Sequence, residues 1–516
     1  MFGRISLSKI ENSIGGAAAI IAVFSIFTKL LGLWRDRLLS SSFGAGEILD
    51  AYLASFRLPD LVFNVLILGA FSSSFIPVFL SYFQKDKEEG WRLANATLNL
   101  LFLIIFILTI LIIVFAKNLV PLIVPGLSSE AQEVTVKLTR IISLSILFFI
   151  LSNVSSAILN SFHKFFLYSL APLLYNLGII FGILVLTKTW LGISGLAWGV
   201  VFGSFLHFLI QVPGVLKLGF RPQFLFSFLP GVKKIFLLMV PRFLGLAVNQ
   251  VNILLTTIIA SFLVSGAITI YNLAFNLNSV PVGLVGIPLS LSLFPILSQA
   301  AADGENNFFK KKFLETLKQI FYFILPLTVV FFFFRQEIAA IILKAGLFTE
   351  KDSFLTGQTL GYFSLSLLAQ NLIPLFSRAF YAKQDTKTPV LAACFGMFFN
   401  FLGCLYFGKL MGPPGLGLAF TLSSFLNLFL LFSFFKKKGF KFEKEEFFSP
   451  LLKFLFLSLL IIPLIVFLKV LFAFLPVFLE TLISVLIVLL FYYFLSLLFK
   501  IEEAKKVKDI FKLFYA

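Results

Sequence analysis

The chain has 516 residues, 59% of them hydrophobic and 13% charged, with a mean hydropathy of +1.02 and a net charge of +18. No water-soluble fold of this length could cover so much apolar surface, so the composition requires a polytopic helical membrane protein. The positive charge does not indicate nucleic acid, because most Lys and Arg sit in short loops between apolar runs, the pattern that orients membrane proteins.

Apolar segments of spanning length fall at about 13–38, 48–83, 90–116, 134–162, 166–187, 193–217, 232–263, 267–301, 309–343, 354–383, 388–410, 414–435, 448–474 and 476–500. They predict an all-α fold of fourteen transmembrane helices. Internal Pro59, Pro77, Pro241, Pro281, Pro288, Pro295 and Pro374 predict kinks. The 71 Phe residues are read as lipid-facing substitutes for Leu. The N-terminus with Arg4 and Lys9, the loops at 84–92, 217–234, 302–312, 383–387 and 436–444, and the tail after 500 carry most of the Lys and Arg. That excess places both termini of a multi-pass protein in the cytoplasm, as an even helix count requires. The tail IEEAKKVKDIFKLFYA reads as an amphipathic helix on the inner membrane surface.

An internal repeat divides the chain. Tyr52, Phe56 and Leu58 correspond to Tyr271, Phe275 and Leu277, Phe75-Ile76-Pro77 to Leu293-Phe294-Pro295, and Ala171-Pro172-Leu173 to Thr388-Pro389-Val390, at offsets of 219, 218 and 217 residues. Two six-helix lobes, 1–222 and 223–445, are expected, related by a pseudo-two-fold axis along the membrane normal. Helices thirteen and fourteen with the basic tail, 446–516, have no counterpart.

A charge at the centre of a membrane helix costs roughly 2.5–3.5 kcal/mol, so intramembrane charges mark candidate sites. Lys29, Arg35, Asp36, Asp50, Arg57 and Asp60 crowd the first two segments. Arg35 and Asp36 read as a snorkelling helix end or as charges held at an unwound point near Gly32. Arg57 needs a counter-ion, for which Asp50 and Asp60 are the candidates. Arg242, Asn249 and Gln250 share one face of the seventh segment, as a ligand surface or as interhelical hydrogen-bond glue. Asn276 continues the polar theme in the eighth. RAFYAKQDTKTP around Asp385 reads as a solvated loop, and His163 and His207 receive no metal or catalytic role. Cys394 and Cys404 suggest neither a disulfide nor a metal site. There is no Walker A motif, acidic metal-binding pair, HExxH or G-x-S-x-G, so neither an ATP-driven pump nor a membrane transferase is indicated. A cavity gathering Arg with few acids suits a phosphate or diphosphate.

The blocks KLLGLWRD, FGAGxxxDAY, ASFRLPD, GAFSSSFIP, LNSFHKF, LAPLLYN, PRFLG, SRAFYAKQDTKTP and GLGLA resemble, in order and over almost the whole chain, the MviN/MurJ family of lipid II flippases. The resemblance implies the fold of the multidrug/oligosaccharidyl-lipid/polysaccharide exporter superfamily. It implies a transporter, not an enzyme, that carries an undecaprenyl-diphosphate-linked peptidoglycan precursor from the inner to the outer leaflet. Membrane lipids and cell-wall synthesis proteins are the implied partners. Arg35 matches the family's cavity arginine of the first helix, Asp36 and Asp50 its acidic partners, and Lys29 and Arg57 its basic positions. The chain departs from the family pattern L-P-N-L-L-R-R-x-x-x-E-G: Phe63 stands at an arginine, Leu68 at the acid and, in the eighth helix, Asn276 at another arginine. The expected substrate-binding set is therefore Arg35, Arg57, Arg242, Lys29, Asn249, Gln250 and Asn276, with Asp36, Asp50 and Asp60 as gate or counter-ion residues. No cofactor is expected, and membrane potential or an ion gradient, the ion unassigned, would drive alternating access. The alternative is an exporter of another polyprenyl-linked glycan or amphiphilic compound.

Overall fold

The computed structural model describes residues 14–65, 71–439 and 444–505, with side chains at all of these except 14–19, 241–246, 444, 445 and 447. Regular structure among them is entirely helical. The chain opens with α1 (Ile14–Phe43) and the short α2 (Glu47–Ala54), α3 (Arg57–Phe63) and α4 (Phe71–Phe83). There follow α5 (Lys87–Ile123), the broken pair α6 (Ser129–Ser143) and α7 (Ser145–Ser161), then α8 (Phe165–Leu184), α9 (Ser194–Leu209) and α10 (Val212–Lys217). Next, α11 (Pro230–Ser261) precedes α12 (Ala267–Pro281), a π-helical turn at Val282–Gly286 and α13 (Ile287–Ala302). The remaining helices are α14 (Asn306–Phe333), α15 (Arg335–Leu343), α16 (Glu350–Leu365), α17 (Leu367–Ala382), α18 (Lys387–Met411), α19 (Pro413–Lys437), α20 (Lys444–Leu471) and α21 (Val477–Leu498).

Ten helices among the described residues are long and apolar enough to span a membrane, and the bent pair α16–α17 makes eleven. The three other expected segments, 13–38, 48–83 and 232–263, are not among them, so the count of fourteen is not established. These are the segments that carry the clustered charges, and 48–83 is divided among α2, α3 and α4. Arg35 and Asp36 do not lie at an unwound point, because α1 runs unbroken through Gly32 to Phe43. Proline is also not the only source of bends. The 43° bend between α16 and α17 falls at Ser366, whose hydroxyl donates to the Phe363 carbonyl at 2.6 Å and accepts from Gln370 Nε2 at 2.6 Å.

The described chain forms two compact units, residues 1–269 with 345–348, and 270–344 with 349–516. The first is built on an aromatic row: Phe71, Phe75 and Phe79 are fully buried and stack at 5.0 and 5.2 Å, and Phe79 meets Trp91 at 5.5 Å. Val232, Ile235 and Met239 of α11 join the same core, which is why this unit extends beyond the repeat boundary at 222. Within it α8 and α9 touch backbone to backbone: a Cβ on Gly178 would lie 2.2 Å from Gly203 Cα, and one on Gly182 2.7 Å from Gly199 Cα. In the second unit Phe313, Phe376 and Phe435 form a fully buried cluster. A further core joins α14 to α20 and α21 around Tyr322, whose hydroxyl lies 2.9 Å from Ser496 Oγ. Phe is thus a principal core residue here as well as a surface one. Ile501 and Ala504 are buried in that last core, so the start of the tail packs on protein; from 506 onward the tail lies outside the described residues.

The QDTKTP loop is not simply solvated. Asp385 accepts from Thr388 N at 3.0 Å and Thr388 Oγ1 at 2.6 Å, and pairs with Lys438 at the end of α19. Lys383 donates to Asn306 Oδ1 at 3.2 Å, so the loop is also tied to the start of α14. Partial burial alone would raise the Asp385 carboxyl, but Lys438 and Thr388 together hold it below the ordinary aspartate value. A carboxyl lowered on folding contributes stability above its unfolded pKa and loses it as pH falls through the folded one. Asp385→Asn should therefore cost about 1 kcal/mol at about pH 7, and the difference from wild type should shrink as pH falls through the lowered folded pKa. Thermal melts of both proteins in detergent check this; an unchanged gap at the lower pH would remove the charge pair from the account.

Candidate functional site

The site is built on α1. Lys29 and Asp36 are seven residues apart and share a face, and Lys29 lies within the electrostatic influence of both Asp36 and Arg35. The Arg35 guanidinium donates to Asp36 Oδ1 through Nε at 3.0 Å and Nη2 at 2.7 Å, and through Nη1 to Asn176 Oδ1 at 3.0 Å. Asn176 is 5% exposed, and its amide is oriented by a 3.1 Å bond from Nδ2 to the Pro172 carbonyl one turn back on α8. Gly32 puts no side chain in the way, since a Cβ there would still lie 4.0 Å from Asn176 Oδ1. Three of the five guanidinium N–H groups are thereby engaged, and one on each terminal nitrogen takes no protein acceptor among the described residues. With 23% of its side chain accessible, Arg35 can present those two N–H groups side by side to an anion, the fork geometry that suits phosphate oxygens.

Asp50 does different work. It is 1% exposed, and its oxygens accept from Gly266 N at 2.8 Å, Thr269 N at 2.7 Å and Thr269 Oγ1 at 2.6 Å. It therefore caps the first turn of α12, satisfying amides that a helix start leaves without partners. Gly266, at φ +86°, makes this approach feasible, since a Cβ there would lie 2.4 Å from the Ala45 carbonyl of the FGAG block. Gly44 has φ +64° and lies against the Leu347 carbonyl, which a Cβ would meet at 2.9 Å. Leu347 N in turn donates to the Ser41 carbonyl at 2.8 Å.

Arg57 and Asp60 lie one turn apart on α3, within electrostatic reach of each other. Phe63 follows on the same helix and packs on Phe149 at 4.8 Å. Asn249 and Gln250 lie on α11 in the same unit, Asn249 exposed and Gln250 half-buried. The side chain of Arg242, together with Leu68, lies outside the described residues. Asn276 belongs to the second unit, where its carbonyl accepts from Ser279 Oγ at 2.7 Å. Lys29, Arg35 and Asp36 are thus brought together, whereas Asp50 is committed to a helix cap. Two participants escape the sequence reading, Asn176 and Thr269. Asn176 had a signal, an amide four residues after Pro172 in the LAPLLYN block. His207, given no role, lies in a polar network: its Nδ1 is 2.6 Å from Ser152 Oγ, which accepts from Gln211 Nε2 at 2.6 Å.

The sequence model of the family described as "Lipid II flippase MurJ" matches residues 39–494. The chain belongs to the MurJ family. Among its curated relatives, "Lipid II flippase MurJ" of Burkholderia cenocepacia is 30% identical over 432 residues, 82% of this chain and 84% of that protein. "Probable lipid II flippase MurJ" of Thermotoga maritima is 29% identical over 418 residues, 80% and 85% of the two chains. A solved structure described as "Lipid II flippase MurJ, inward closed conformation" superposes with a TM-score of 0.77 at 28% identity, covering 93% of this chain and 99% of that one. An inward-facing multidrug resistance MATE transporter shares the fold, with a TM-score of 0.66 at 14% identity over 82% and 98% of the chains. Arg35 and Asp36 lie just ahead of the residues matched by the MurJ family, and Asp50, Arg57 and Asn176 lie within them.

Asn176→Leu should release Arg35 Nη1 and weaken binding of an anionic lipid by about tenfold or more, the worth of one hydrogen bond to a charged group. Lipid binding to purified protein at matched folding checks this; unchanged affinity would show that Asn176 does not position Arg35.

Proposed function

We propose that this chain is a lipid II flippase, a transporter and not an enzyme, that moves the undecaprenyl-diphosphate-linked peptidoglycan precursor from the inner to the outer leaflet by alternating access. The observation that carries this reading is the family match across residues 39–494; the two open N–H groups of Arg35 supply a matching chemistry. Relatives named as lipid II flippases favour it over an exporter of another glycan or of a drug.

In this reading Arg35 donates both N–H groups to the diphosphate, and Lys29 adds a second positive charge on α1. Asp36 and Asn176 hold the guanidinium so that little side-chain freedom is lost on binding. Arg57 extends the positive field along α3, and Arg242, Asn249, Gln250 and Asn276 complete the expected set. Asp50 contributes by closure: while its carboxylate caps α12, it holds that helix start against α2, and opening must break the hydrogen bonds of that cap. Substrate binding drives transport only if it favours the closing state. Moving an anionic headgroup outward across an inside-negative membrane is favoured by about 2.3 kcal/mol per charge per 100 mV, so membrane potential is one drive and an ion gradient another. The family match supports the bacterial inner membrane as its location, and the excess of Lys and Arg in one set of loops supports cytoplasmic termini. Cell-wall synthesis proteins are the partners this function would bring near.

Complementation of a flippase-depleted bacterium tests the proposal. The wild-type chain should restore growth and cell shape, and Arg35→Ala at equal membrane abundance should not. Failure of the wild type despite good expression would sink the lipid II reading, and equal rescue by both would remove Arg35 from the site.

A further inference from the structure

A second polar site lies inside the first unit. Asp60, Ser145 and Tyr175 line a cavity of about 20 Å³, together with Pro59, Phe63 and Phe149. That is room for one water-sized occupant. Every polar side-chain group in the lining is an oxygen: one carboxylate and two hydroxyls. Two of the three polypeptide stretches that form it are interrupted at this level, and the third, α8, supplies Tyr175. Helices α2 and α3 part at Ser55–Phe56, and Pro59 has no N–H to give the Ser55 carbonyl one turn back. Helices α6 and α7 part at Leu144, and Ser145 begins α7. Breaks of this kind direct carbonyl oxygens into protein cavities, where they serve as ion ligands. The walls are aromatic: Phe149 packs on Phe63 at 4.8 Å and on Tyr175 at 5.2 Å, which narrows the approach to the carboxylate.

Oxygen donors without nitrogen or sulfur select a hard cation. One carboxylate compensates one charge, and a second buried charge would go unpaired. No group of three His, Cys, Asp or Glu among the described residues could hold a divalent metal. We propose that this cavity binds one monovalent metal cation, held by the Asp60 carboxylate and the Ser145 and Tyr175 hydroxyls.

The site has a use in transport. The charged group in reach of Asp60 is Arg57, one turn back on α3, and Tyr175 also faces it. A cation on Asp60 draws that carboxylate away from Arg57 and leaves the guanidinium to an anion. By linkage, an anion at Arg57 lowers the cost of the cation by the same amount. Cation and anionic lipid then bind cooperatively, and this last step rests on the flippase reading, whereas the cation site does not.

Equilibrium binding of radiolabelled sodium and rubidium to the purified full chain tests the site, at constant pH and with choline replacing the cation to hold ionic strength. Wild type should bind at least one of the two ions saturably, one per chain. Asp60→Asn should lose that binding while remaining folded in choline chloride, as its melting transition reads. If that variant does not fold, Ser145→Ala and Tyr175→Phe carry the test, and each should weaken binding. Absence of saturable binding to folded wild type overturns the proposal, as does undiminished binding in Asp60→Asn or, failing that variant, in both hydroxyl variants. No lipid is present, so failure here leaves the flippase reading standing. Failed complementation by a chain that binds the cation would do the reverse.

Discussion

The ion pair between Arg35 and Asp36 is the constraint around which the first unit is arranged. It sits within an unbroken apolar helix, where 23% of the Arg35 side chain and 6% of that of Asp36 are accessible. Three hydrogen bonds make it tolerable, two to Asp36 and one to Asn176 of α8. Removing either partner would leave a charge uncompensated in a poor solvent, which costs several kcal/mol. The pair therefore fixes α1 against α8 at one register. Because the partners saturate only part of the guanidinium, the same arrangement that stabilises the helix leaves donors for a ligand.

Helix breaks are the second recurring device, and both copies of the repeat use them. Tyr52 and Phe56 form a ring pair at 5.1 Å beside the break between α2 and α3, and Tyr271 and Phe275 form one at 6.4 Å on α12. A π-helical stretch begins at Asn64 in one copy and occupies Val282–Gly286 in the other. The fourth segment breaks at Leu144 and its counterpart bends at Ser366. Each break releases backbone groups that lipid cannot satisfy, so each must lie against protein or a polar cavity. The candidate residues Asp50, Arg57 and Asp60 all lie within a few residues of such a break.

How much of this was legible in the sequence depended on the cost of the group concerned. Arg35, Asp36 and Asp50 stand out because a charge in an apolar segment has no inexpensive explanation. Their pairings were less legible. Asp36 is adjacent to Arg35 and could be guessed, but Asp50 bonds Gly266, 216 residues away, a contact that no local pattern encodes. Asn176 carries little signal of its own, because a single amide in a membrane helix is commonly packing glue. The helical class followed from hydropathy alone, yet the count of spans did not, since charges and breaks dilute the apolar signal in the first, second and seventh segments. Phe63 was legible only as a missing arginine; the aromatic wall that replaces it depends on Phe149 from another helix.

The glycine contacts between α8 and α9 have a mechanical meaning. With Cα atoms this close, no intervening side chains can change rotamer to accommodate sliding or tilting, so the two helices behave as one stiff plate. Gly203 lies against the Tyr175 carbonyl, where a Cβ would stand at 2.5 Å, and Asn176 is the next residue on that plate. The acceptor that aims Arg35 is thus mounted on one of the least compliant parts of the unit. Any conformational change that reorients the arginine has to break its hydrogen bond to that plate.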